Sequence, residues 1–150
     1  MDLVAERSID AAGHSFTAEL PARRCAACGE TSFRREALER LELLAASKLA
    51  EAGENTGEAF RFMRRALGMP ADELAPLLGT SADALARWDR CDFVYKSAVE
   101  LVGGLIRGKL KGQCVADPRV ALEILLAYHA PRPLAKAVRL DWQEVEIAGF

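Results

Sequence analysis

Two glycine-centred breaks constrain this chain more than any other feature. Gly68-Met69-Pro70 and Gly79-Thr80-Ser81 cut the stretch from Phe60 to Trp88 into three short segments with apolar residues at helical spacing. The first carries Phe60, Met63 and Leu67, the second Leu74, Ala75 and Leu78, and the third Leu85 and Trp88. A Gly can end one helix and a hydroxyl residue can cap the next. A middle helix of about nine residues followed by a short Gly-containing turn is the helix-turn-helix layout. It presents the third helix to a DNA major groove.

The N-terminal residues follow a different period. Between Ile9 and Leu20, Gly13-His14 separates two short runs, and Phe16, Ala18 and Leu20 alternate with Ser15, Thr17 and Glu19, as in a half-buried strand. This predicts a small β-hairpin ending in Pro21, then Cys25-Ala26-Ala27-Cys28-Gly29-Glu30, where Gly29 allows a tight turn around two thiols. From Phe33 the period becomes helical through Leu38, Leu41, Leu44, Ala45 and Leu49, until Gly53-Glu54-Asn55-Thr56-Gly57 ends it. A boundary there gives an N-terminal hairpin and CxxC module with its helix over 1–56, and a second unit over 57–150.

Ser97 to Leu110 is amphipathic, weakened at Gly103-Gly104 by roughly 1 kcal/mol per glycine relative to Ala. Asp117-Pro118 starts a further helix through Val120, Ile124, Leu125 and Tyr128, which Pro131-Arg132-Pro133 stops. The tail, with Val138, Leu140, Trp142, Val145 and Ile147, reads as extended or helical. The expected fold class is therefore mainly α: a small N-terminal β-hairpin with the CxxC, one helix, a helix-turn-helix bundle and C-terminal helices.

Composition excludes several functional classes. Of 150 residues 51% are hydrophobic and 28% charged, which excludes a wholly disordered chain, and 7% aromatic content points to an aliphatic core. No apolar run reaches the ~20 residues of a membrane helix, and the opening Met1-Asp2-Leu3-Val4-Ala5-Glu6-Arg7 lacks a signal-peptide core, so a cytoplasmic location with no membrane partner is expected. Twenty basic against 22 acidic side chains give a net charge of −2, so DNA binding would rest on a local patch. Residues 57–91 balance Arg61, Arg64, Arg65, Arg87 and Arg90 against Glu58, Asp72, Glu73, Asp83 and Asp89. Lys96, Arg107, Lys109 and Lys111 outnumber Asp92 and Glu100 just after them, where phosphate contacts are expected. No Ser/His/Asp set, phosphate-binding loop or close carboxylate pair stands out, so no enzymatic activity is expected.

Cys25 and Cys28 admit three readings: a former zinc knuckle kept for its turn, a zinc site, or a redox pair. The zinc site would be completed by His14 and a carboxylate such as Glu30, or by a second subunit. The expected cofactor is none, with zinc the alternative. Cys91 and Cys114 read as small side chains, and His129 as a cation at a helix C-terminus.

The stretch from Met63 to Ser81, with Leu85, Arg87, Trp88 and Asp89, resembles the Cro/phage-repressor (XRE) helix-turn-helix family. Leu20-Pro21-Ala22-Arg23-Arg24-Cys25-Ala26-Ala27-Cys28-Gly29-Glu30 resembles the second half of the zinc module that precedes such a domain in MqsA-type antitoxins. The resemblance implies a structural ion pair between Arg64 and Asp89, and DNA contacts from Thr80, Ser81, Ala82, Asp83, Arg87, Arg90 and Lys96. The sequence departs from the pattern in three places. No cysteine precedes Cys25, Ala71 stands where a Gln often opens the second helix, and Ser81-Ala82-Asp83-Ala84 lacks side chains that read purines bidentately.

The expected function is that of a sequence-specific DNA-binding repressor, antitoxin-like and autoregulatory. Its expected partners are an operator duplex, a second copy in a homodimer, and a toxin or other protein at the N-terminal module. The alternative is a repressor-like adaptor, a protein-interaction module that has lost DNA reading.

Overall fold

The computed structural model describes residues 2–112 and 134–140. The helix expected from Asp117-Pro118 and its Pro131-Arg132-Pro133 stop lie outside these residues, as do Cys114, His129, Trp142, Val145 and Ile147.

The chain opens with two long antiparallel strands, β1 (Asp2–Ala11) and β2 (His14–Arg24), in register from Asp2↔Arg23 to Ala11↔His14. Their two-residue link, Ala12-Gly13, has positive φ at both positions (51° and 81°), a turn whose twist matches that of the strands. Pro21 sits inside β2 without breaking the ladder. It shares parity with Ser15, whose N–H donates away from β1 to the Lys136 carbonyl, so the proline lacks a donor only on the side not used by β1.

Strand β3 (Thr31–Phe33) pairs antiparallel with Ala22–Arg24, and β4 (Ala137–Arg139) pairs parallel with Ser15–Thr17. Phe16, Ala18, Leu20 and Ala22 face the core, while the opposite face is polar. There Arg139 lies 3.6 Å from both Glu6 and Glu19, offsetting two carboxylates placed directly across the β1–β2 ladder.

Against this sheet pack five helices among the described residues: α1 (Arg35–Glu51), α2 (Gly57–Leu67), α3 (Ala71–Leu77), α4 (Ala82–Trp88) and α5 (Lys96–Leu110). Helix α1 is central, touching β2, α2 and α5, which is why Leu41, Leu43, Leu44, Ala45, Ala46 and Leu49 are all buried. Gly103 of α5 faces it so closely that a Cβ there would stand 2.5 Å from the Ala50 methyl. Gly103, which weakens α5 as a helix, thus lets it approach α1. One hydrophobic core runs from Ala11 to Leu140 and joins the residues on either side of position 56.

The expectation of a mainly α chain with one small hairpin is overturned. Among the described residues five helices stand against a four-stranded mixed sheet, an α/β fold. The hairpin is longer than its signal because the inward positions of β1 are Leu3, Ala5, Arg7 and Ile9. Arg7 interrupts the apolar alternation, and its guanidinium lies 6.0 Å from the Phe33 ring centre. Strands β3 and β4 are three residues each, too short to display a period. No described helix is long and apolar enough to cross a membrane.

Candidate nucleic-acid interface

The three short helices expected between Phe60 and Trp88 form, with hydroxyl caps at two of their starts. The Thr56 hydroxyl accepts the Ala59 N–H at 3.1 Å to begin α2, and the Ser81 hydroxyl accepts the Ala84 N–H at 3.2 Å to begin α4. The middle helix has seven residues rather than about nine, and Pro76 within it leaves one helical carbonyl without its bond. Lys109 of α5 donates to the Leu67 carbonyl at 2.7 Å, satisfying the end of α2.

Helix α4 is fixed to α2 at three points. Arg64 donates through Nη2 to Asp89 Oδ2, with side chains 20% and 14% exposed. The contact is end-on, for Arg64 Nε and Asp89 Oδ1 are buried without a hydrogen-bond partner. Trp88 packs edge-on between Phe60 and Tyr95, each ring centre 5.8 Å away. The N-terminus of α2 meets the end of α4 at Gly57, whose N–H donates to the Cys91 carbonyl at 3.1 Å. A Cβ at Gly57 would lie 2.3 Å from the Cys91 carbonyl oxygen and 2.6 Å from that of Trp88. Asn55 clamps the loop that follows, donating through Nδ2 to the Val94 carbonyl at 2.9 Å and accepting the Val94 N–H on its own carbonyl at 2.6 Å.

This scaffold displays Asp83, Arg87 and Arg90, spaced four and three residues apart on the exposed side of α4 and its cap. Ser81 is exposed and Thr80 and Ala82 half-buried at the start of α4, while Lys96 is exposed at the start of α5. The basic excess expected after α4 is smaller than the sequence suggested. Lys109 is committed to Leu67, and Arg107 is half-buried, with burial lowering its proton affinity and Glu51 partly restoring it. Sequence reasoning missed Phe93 and Tyr95, which are 73% and 72% exposed on the same loop. Their signal was an aromatic pair outside any helical period.

The structure separates His14 from the two cysteines proposed with it for metal. His14 begins β2 and Cys25 follows its end, eleven residues on, which at strand spacing is about 36 Å. His14 is occupied instead, with Nδ1 2.7 Å from the Ala135 carbonyl and Nε2 3.1 Å from Glu54 Oε1. Cys25 and Cys28 are exposed on a tight knuckle. The Cys25 N–H donates to the Glu30 carbonyl, and the Gly29 N–H to the Cys25 carbonyl, both at 2.9 Å. Gly29, at φ +74°, turns the chain back toward β3. Backbone N–H groups of Cys28 and Ala27, with the Cys28 side chain, hold the Cys25 thiol below its usual range. Zinc in a structural site takes four ligands, and no group of three or more His, Cys, Asp or Glu among the described residues could hold a metal. Among the described residues, then, Cys25 and Cys28 are not joined by the further ligands that a structural zinc site would need.

Between the hairpin turn and α2 lies an open groove of about 480 Å³, lined by Asp10, Glu42, Glu58, Arg61 and Arg65 among others. No protein-family model matches the sequence, and neither a curated protein nor a solved structure matches it.

Proposed function

We propose that this protein is a non-catalytic, sequence-specific DNA-binding regulator that works as a symmetric dimer in the cytoplasm and represses its own promoter. The observation that carries the reading is the rigid mounting of α4 by the Arg64–Asp89 pair, with Arg87 and Arg90 turned to solvent. A helix that must hold register against base edges needs that fixing. Ser81 caps α4 through its oxygen lone pairs and keeps its O–H free to donate to a phosphate. Lys96 adds a cation along the strand, and Asp83 faces acceptor-rich guanine edges unfavourably but a cytosine amino group favourably. Two copies read the two halves of a palindrome. A toxin or other protein then docks on the N-terminal hairpin side, where the mixed-charge groove lies.

The test is fluorescence anisotropy of the full chain with its own promoter and with random duplex at two salt concentrations. Promoter binding tighter than random binding, weakening with salt and by about 1–3 kcal/mol in Arg87→Ala, is the expected result. Equal, negligible affinity for both duplexes would favour the adaptor reading instead. The observation on that side is the exposure of Phe93 and Tyr95, since exposed aromatics are common in protein-binding surfaces.

A further inference from the structure

His14 joins three parts of the chain at one ring. It opens β2, and its side chain is 10% exposed. Nδ1 lies 2.7 Å from the Ala135 carbonyl oxygen, at the head of the segment 134–140 that carries β4. Nε2 lies 3.1 Å from Glu54 Oε1, in the loop between α1 and α2. Each contact is a hydrogen bond by its length, and each needs a proton between nitrogen and oxygen. A carbonyl has none to give, an ionised carboxylate has none, and a neutral imidazole carries one. The cluster as built therefore holds one proton more than a neutral histidine beside an ionised glutamate, carried on the ring or shared with Glu54. Once it is removed, one contact becomes two lone pairs face to face.

From this geometry we infer that His14 is a proton-dependent clasp. With the extra proton it ties both the segment 134–140 and the α1–α2 loop to the start of β2, and without it the ring can hold only one of them. The hold on the segment weakens in either case, since a ring that keeps Ala135 turns a lone pair to the Glu54 charge. Glu54 is the charged side chain in contact with the ring. Asp10 on β1 and Lys136 in the segment are exposed, next to Ala11 and Ala135, and Lys48 and Glu51 at the end of α1 lie 3.9 Å from each other. Besides the clasp, the segment is held by the three-residue β4, by the exposed Arg139 and by the buried Leu140 side chain. Its backbone accepts the Ser15 N–H at the Lys136 carbonyl, 2.6 Å, and donates the Leu140 N–H to the Thr17 carbonyl, 2.9 Å. The closed form binds the extra proton and the open form gives it up. Closing is therefore favoured at low pH and weakens as pH rises through about 5–8, where histidine changes charge.

The experiment follows hydrogen exchange of the Ser15 and Leu140 amides by NMR in the full chain from about pH 5.5 to about pH 8, each rate divided by the intrinsic rate at that pH. One linked proton changes the opening constant by at most about tenfold per pH unit. Protection at these two amides should fall several-fold per unit, while the amides bonded between β1 and β2 show no matching loss. In Glu54→Gln the side-chain amide can donate to a neutral Nε2 while Nδ1–H still reaches Ala135, so no extra proton is needed and the pH dependence should disappear. Protection that is independent of pH in the parent, or that falls equally in Glu54→Gln, would overturn the inference. An equal loss at the β1–β2 amides would also overturn it, because the opening would then be global. The parent titration decides alone if Glu54→Gln fails to fold.

Discussion

Replacing Gly57 by Ala tests how α2 carries α4. The added methyl would lie 2.3 Å from the Cys91 oxygen, 2.6 Å from that of Trp88 and 3.0 Å from that of Asp89. All three belong to the backbone of one turn, so no side-chain rotation relieves the overlap, and the end of α4 must retreat by roughly 1 Å to reach ordinary contact. Overpacking of this kind costs about 1–3 kcal/mol. Stretching the bond from Gly57 N–H to the Cys91 carbonyl adds roughly 1 kcal/mol. Against this, the stiffer unfolded chain returns about 0.4–1 kcal/mol. The net loss of about 1–3.5 kcal/mol should lower Tm by roughly 2–14 °C for a chain of this length. Thermal unfolding followed by circular dichroism measures it, with Glu58→Ala at the exposed next position as the reference, expected within about 0.5 kcal/mol of the parent. Because Asp89 and Arg87 move with the displaced turn, promoter affinity should fall in the same variant. An unchanged Tm would refute the close seating of α4 on the N-terminus of α2.

Other perturbations test separate parts of the account. Asp89→Ala strands the Arg64 charge in a half-buried site and should cost about 2–3 kcal/mol, less than a fully buried pair. A double-mutant cycle with Arg64→Ala that shows no coupling would refute the tie between α2 and α4. Asp83→Ala removes a negative charge from the face offered to phosphates, so anisotropy should show tighter binding to random duplex and poorer discrimination; unchanged binding to both duplexes would remove α4 from the interface. Cys25, whose thiolate accepts backbone N–H groups, loses its proton at lower pH than an ordinary thiol. Its site-resolved alkylation rate should therefore rise with a midpoint below the ~8.5 of a free cysteine, and a midpoint at or above that value would contradict the knuckle geometry.

What was legible in the sequence depended on how local the cause was. The caps at Thr56 and Ser81 and the glycine breaks around α3 act over a few residues, so spacing alone placed α2, α3 and α4. The Arg64–Asp89 contact spans 25 positions and came only through the resemblance to a known pattern. The sheet was underestimated because its evidence is non-local: β3 and β4 exist through their pairing with β2, and Arg7 sits at an inward position without an apolar side chain. Gly57 and Gly103 looked like helix breakers or weak points, and only the neighbouring Cys91 carbonyl and Ala50 methyl show that each is there for lack of a side chain. His14 as a ligand failed for the same reason. Nothing near it in sequence announces that Ala135 and Glu54 will take both ring nitrogens.

The parallel pairing of β4 with β2 also sets an order of events. His14 and Ala135 are 121 positions apart, and the entropy of closing so long a loop must be offset by contacts already made. The long hairpin and the helices can assemble from shorter-range contacts, whereas the three-residue β4 has too little pairing of its own to form early. It is thus the last element to close and the first to open. When it detaches, the edge of β2 at Ser15 and Thr17 is exposed, with its N–H and C=O groups open to another strand. Hydrogen exchange should find the Ser15 and Leu140 amides exchanging by opening events far cheaper than global unfolding, while the amides bonded between β1 and β2 wait for the whole molecule.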